Sequence, residues 1–147
     1  IDYCFNNSFI VTDSSGKNKL LLWYQREVLY ESPWMHTSAL KGSFNGTNKN
    51  SKQNYSVFEL GSRGNIGNSI NVFMTYPSFK LVYENRALLN KITTNGIIVR
   101  ERNLDSDALK ECWDDFAMAD WPVNEVEYTF NNGEMTKKII TEGQCSD

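Results

Sequence analysis

Apolar and β-branched residues come in short runs, and turn-forming residues separate the runs. The run over 19–30 (KLLLWYQREVLY) predicts a long strand that stops at Ser32-Pro33. A second strand is expected over 37–44, ended by the turn pair Asn45-Gly46. The stretch 45–53 is polar and reads as a loop or hairpin tip. Alternation over 55–60 predicts a strand, and the Gly- and Asn-rich 61–68 predicts a turn region. Two further strands, 70–76 and 79–84, meet at Pro77-Ser78. After the turn pair Asn95-Gly96, another is expected over 97–100. The segments 125–130 and 135–141 flank Asn131-Asn132-Gly133-Glu134 and read as a hairpin.

The period changes once. Over 105–119, Ala108, Leu109, Cys112, Trp113, Phe116 and Ala117 fall on one face of an α-helix. Asp105 or Ser106 would cap it, and Trp121-Pro122 would stop it. The expectation is one domain over 1–147. Strands fill about 19–101, the helix follows, and a hairpin or strand closes the chain at about 125–141. That order predicts an antiparallel barrel or sandwich carrying a single packed helix.

Composition narrows the function. Of 147 residues, 40% are hydrophobic and 22% charged, as in a folded soluble domain. The net charge of -3 and the scatter of Lys and Arg argue against nucleic acid as a partner. No apolar run is long enough to insert into a membrane. Three N-x-S/T triplets, at Asn6, Asn45 and Asn54, are candidate glycosylation sites and point to secretion. Cys4 and Cys145 near the ends, with Cys112 between them, are disulfide candidates of the secreted type. An odd count leaves one thiol free or linking two chains, so a monomer or a disulfide-linked dimer is expected. The chain opens at Ile1 with neither Met nor signal sequence, as a mature product would.

Chemistry is sparse. His36 is the one histidine, and no nucleophile motif accompanies it. One His and three scattered Cys give no zinc spacing, so neither metal nor cofactor is implied. Asp114-Asp115 and Asp105/Asp107 read as solvated charges and caps. The expectation is therefore a binding protein and not an enzyme. Alternation places Trp23, Gln25, Glu27 and Leu29 on one strand face, and Tyr24, Arg26, Val28 and Tyr30 on the other. Glu27 would meet a cationic ligand if its face turned inward, and water if it did not. Aromatic residues reach 13%, enough to wall a pocket or to fill a β core.

Several segments resemble extracellular lipocalins of the divergent arthropod kind: the tick amine-binding, triatomine salivary and cockroach proteins. Ile97-Ile98-Val99-Arg100 before the amphipathic 105–119 is similar to their last barrel strand and helix. Cys112 and Cys145 match cysteine positions of the tick members. The strand pair 72–76 and 79–83, and Leu22-Trp23-Tyr24 after Cys4, resemble further family motifs. The resemblance implies an up-and-down β-barrel with one C-terminal helix. It implies Trp23 at the closed end with Arg100 across its ring, and Cys112–Cys145 or Cys4–Cys112 as disulfides. It also implies that the barrel holds a small hydrophobic or cationic-amphipathic ligand, such as a biogenic amine, fatty acid or eicosanoid. Candidate lining residues are Gln25, Glu27, Phe58, Val72, Met74, Tyr76, Phe79, Leu81, Tyr83 and Ile98. The other reading is a secreted β-sandwich that binds a protein partner in immune evasion or adhesion. Leu21, where the family motif carries Gly, and the odd cysteine count motivate it.

Overall fold

The computed structural model describes residues 8–46, 52–61, 68–103 and 122–145. Their strands, in chain order, are β1 (Ser8–Thr12), β2 (Asn18–Tyr24), β3 (Glu27–Glu31), β4 (Thr37–Asn45) and β5 (Asn54–Gly61). There follow β6 (Asn68–Tyr76), β7 (Lys80–Ile92), β8 (Gly96–Arg102), β9 (Pro122–Asn131) and β10 (Glu134–Cys145). Every ladder is antiparallel and joins strands adjacent in the chain. The strands form a three-stranded sheet, β1-β2-β3, and a seven-stranded sheet, β10-β9-β8-β7-β6-β5-β4.

The expected closed barrel with its C-terminal helix is therefore corrected to two antiparallel sheets. The meander order holds, but β3 and β4 belong to different sheets, and β4 and β10 are the two edges of the larger one. The physical cause lies in the connections. Ser32 still bonds to the small sheet through its N–H on the Leu20 carbonyl; past Pro33, which has no N–H, a single bridge between Asn18 and Met35 remains, and the His36 backbone N–H then turns to the Gly61 carbonyl of β5. At the other edge β10 shifts register between Ile139 and Thr141 and again between Thr141 and Gln144. Such bulges, with Lys137 and Lys138 beside them, keep an edge from pairing onward. The described residues contain no helix, and 105–119 lies outside them.

The single strand expected over 19–30 is a hairpin. Gln25 and Arg26 turn it with φ of 47° and 69°. This left-handed pair is the geometry Asn-Gly normally supplies, so the sequence carried no turn signal there. The Asn132-Gly133 turn of β9–β10 has the same sign at both residues, φ 54° and 76°, and its signal was legible.

Strands β5 and β6 are buried on both faces, which gives them near-continuous burial where a half-exposed strand would alternate. On one face Tyr55, Val57, Ile70, Val72 and Met74 join Phe44, Tyr83, Ile97, Val99, Val126, Tyr128 and Phe130. On the other, Phe58, Leu60 and Phe73 meet Leu20 and Leu22 of the small sheet, with Tyr30, Met35, Phe79 and Leu81 around them. Strand β7 makes the first core possible. Its residues 80–87 pair with β6, and 88–92 pair with β8. A register shift falls in each half, between Val72 and Phe73 on the β6 side and between Leu89 and Lys91 on the β8 side. The sheet turns there, and its two halves enclose one core. Ring contacts fill it: Phe44 stacks on Tyr55 at 4.9 Å, and Phe130 lies 5.5 and 5.6 Å from the two.

One close approach within the β8–β9 ladder and one side chain bridging the two halves fix this arrangement. A Cβ on Gly96 would stand 1.8 Å from the Tyr128 carbonyl oxygen, so β8 and β9 meet there only because no side chain intervenes. Gln53 ties the β4–β5 end to the β9–β10 turn. Its Nε2 donates to Asn132 Oδ1 (2.6 Å), and its Oε1 accepts from Asn132 N (2.7 Å) and from the Tyr55 hydroxyl (2.9 Å). The Tyr55 oxygen in turn accepts from Gly133 N at 3.1 Å.

Phe73 joins the small sheet to the large one. It packs edge-on against Tyr30 and Phe58 and stacks on Phe79. Phe73→Ala should cost about 3–5 kcal/mol in urea unfolding. A loss below about 1 kcal/mol would show that the two sheets do not share this core.

Candidate functional site

The core facing β7–β9 holds one charged group. Ile97, Val99 and Glu101 share a face of β8, so alternation carries Glu101 inward behind two buried aliphatic residues. Its Oε1 accepts from the Tyr128 hydroxyl (2.6 Å), the Tyr83 hydroxyl (2.7 Å) and Asn85 Nδ2 (3.2 Å). The two tyrosine rings lie 4.8 Å apart. Burial, and then the adjacent carboxylate, push both phenols far above their ordinary value of 10.0. The rings are in contact, and the carboxylate is engaged by all three donors. The cluster is a polar lock between β7, β8 and β9. Nothing in the sequence analysis singled out Glu101, although the period-2 pattern Ile97-Val99-Glu101 marked it.

The small sheet offers a different arrangement. Leu20 and Leu22 point into the core, so Lys19, Leu21 and Trp23 lie on the opposite face of β2. Register adds Val11 opposite Lys19, Glu31 opposite Leu21, and Val28 opposite Trp23. Lys19 Nζ stands 2.6 Å from Glu31 Oε1 and 4.7 Å from the centre of the Trp34 ring. The outward face thus carries Val11, Leu21, Trp23 and Val28, with Trp34 at its border. Val11, Val28 and Trp34 are 38%, 41% and 41% exposed. Leu21 and Trp23 are half-buried, and the Trp23 Nε1–H is enclosed without an acceptor. Strand spacing and rise give the face an area on the order of 340 Å². Lys19 and Glu31 share this footprint with the apolar side chains, and the gathering of exposed apolar groups makes the face the candidate site.

The structure scatters the residues expected to line one pocket. Gln25 and Glu27 are exposed at the tip of the β2–β3 hairpin. Phe58, Phe79 and Leu81 pack in the core under the small sheet, whereas Val72, Met74 and Tyr83 pack in the other core. Tyr76 is half-buried with Lys52 Nζ 5.6 Å from its ring centre, and Ile98 is half-buried on the face of β8 opposite Ile97 and Val99. Trp23 and Arg100 stand in different sheets. Among the described residues, the cations over aromatic rings are Lys19 and Lys52.

His36 is half-buried, and its N–H donates to the Gly61 carbonyl. Among the described residues no three His, Cys, Asp or Glu side chains gather as metal ligands. Among the described residues there is no helix long and apolar enough to cross a membrane. Asn45 is exposed at the end of β4, and Asn54 is half-buried at the start of β5. Asn6, Cys4 and Cys112 lie outside the described residues, and Cys145 ends β10.

No protein-family model, curated protein or solved structure matches this chain.

The tyrosine lock predicts alkaline sensitivity. The unfolded chain releases the Tyr83 and Tyr128 protons near pH 10.0, while the folded chain retains them to higher pH. Above that point the unfolded state binds fewer protons, so stability falls as pH rises. Urea midpoints should therefore drop between about pH 9.5 and 11.5, and drop less in Tyr83→Phe than in wild type. Identical pH profiles would exclude Tyr83 as a source of the effect.

Proposed function

We propose that this protein is a secreted β domain that binds a protein partner through the outward face of its three-stranded sheet. The observation carrying this reading is the apolar run Leu20-Leu21-Leu22-Trp23. A strand covered on one face alternates, and a strand covered on both does not. The core covers Leu20 and Leu22, while Leu21 and Trp23 lie on the outward face, which among the described residues also carries Val11 and Val28 with Trp34 at its border. A second protein surface would complete the burial that this sequence is built for.

Size and composition suit such a role. A patch of about 340 Å² corresponds to the apolar centre of an interface that needs roughly 800 Å² per partner. Trp is the residue type most often found as an energetic anchor, and two border this face. Lys19 and Glu31 pair with each other and leave little net charge at the centre. A complementary partner therefore presents apolar groups there, with polar contacts at the rim formed by Arg26 and Glu27. The three N-x-S/T triplets and the cysteines near both ends support an extracellular setting for this encounter.

Screening against arrayed extracellular proteins should identify a partner, whose affinity can then be measured with variants. Val28→Lys and Trp34→Ala should each weaken binding at least about tenfold. Both side chains are substantially exposed, so the melting temperature should stay within about 2 °C of wild type. Full affinity in both variants would place the interface elsewhere.

A further inference from the structure

A cleft of about 310 Å³ lies between the small sheet and the β6–β7 ladder, away from the apolar face. Tyr30, Pro33 and Met35 form one wall, with Leu60 beside them, and Ser69, Glu84, Asn85 and Arg86 form the other. Its volume is at the lower end of the range for small-molecule sites. The polar wall follows from strand register. Ser69 stands opposite Arg86, and Asn71 opposite Glu84. Residues two apart share a face, so Ser69, Asn71, Glu84 and Arg86 form a two-by-two polar plaque.

Two features of the plaque are unusual. Asn71 is fully buried, and its Nδ2 donates toward Ser69 Oγ at 3.2 Å and the Ser69 carbonyl at 3.4 Å. Its Oδ1 has no partner. With its surface fully covered, this acceptor lies behind the cleft and outside its lining. Glu84 and Arg86 stand on the same strand face, yet neither forms an ion pair among the described residues. An anion-binding group and a cation-binding group thus line the cleft side by side, facing an apolar wall.

We propose that this cleft binds a small zwitterion with an apolar side chain, of the α-amino-acid class. Arg86 receives the carboxylate, for which a guanidinium offers a paired-donor geometry. Glu84 receives the ammonium. Tyr30, Met35 and Leu60 receive the side chain. A fatty acid would leave Glu84 unmet, and a simple amine would leave Arg86 unmet. The site does not depend on the partner-binding face.

The test is a titration followed by backbone amide NMR, with L-leucine, leucinamide and 4-methylpentanoate as probes. L-leucine should bind at least about tenfold more tightly than either analogue, shifting amides around residues 30, 35, 69 and 84–86. Arg86→Gln should abolish the preference over leucinamide, and Glu84→Gln the preference over 4-methylpentanoate. Both residues are exposed, so both variants keep the fold, and Val28→Lys should leave L-leucine binding unchanged. The proposal is overturned by equal affinities for the three probes, by shifts that map elsewhere, or by no shifts with L-leucine up to about 10 mM.

Discussion

Burial of β5 and β6 on both faces is the constraint from which the placement of the other strands follows. Two adjacent strands with apolar groups on both sides need two covering layers. One cover is the three-stranded sheet, through Leu20, Leu22 and Tyr30. The other is the same sheet's continuation, brought around by β7 so that β8 and β9 face β5 and β6. Without the turn in β7, Ile97, Val99, Val126 and Phe130 would have nothing to pack against.

That packing also explains where polar groups are found. Glu101 is carried inward by the alternation of β8, and three donors from β7 and β9 converge on one of its oxygens. A buried carboxylate is tolerated only when hydrogen-bonded in this way. Gln53 performs a similar task at the β9–β10 turn, using both ends of its amide. The two clusters fix opposite halves of the folded sheet to each other, and neither presents reactive groups to a ligand. The surfaces with unmet capacity lie elsewhere. Among the described residues, the outward face of the small sheet carries exposed apolar groups, and the cleft is lined by Glu84 and Arg86 without an ion pair.

The candidate site was partly legible in the sequence. The run 19–30 stood out as strand-forming, and the family resemblance put Trp23 at the closed end of a barrel. The structure places Trp23 on the outward face of a separate three-stranded sheet. Gln25 and Glu27 were placed in a strand because neither Gln25 nor Arg26 is a residue type that announces a left-handed turn. Ser69 and Arg86 carry no local signal at all. Their importance arises from their being opposite each other in register, between strands joined by a turn.

The sequence by itself determined most of the strands, the Asn-Gly turns and the antiparallel order, because these depend on neighbours a few residues apart. Tertiary structure alone decided that the ladder would break after β3 and that β4 and β10 would remain edges. It also decided that β7 would serve two halves of one sheet. Those outcomes depend on bulges and on which apolar faces find each other, and the same alternating pattern is compatible with a closed barrel or with a folded open sheet. Closure is a property of the whole set of ladders, and no segment of the chain encodes it alone.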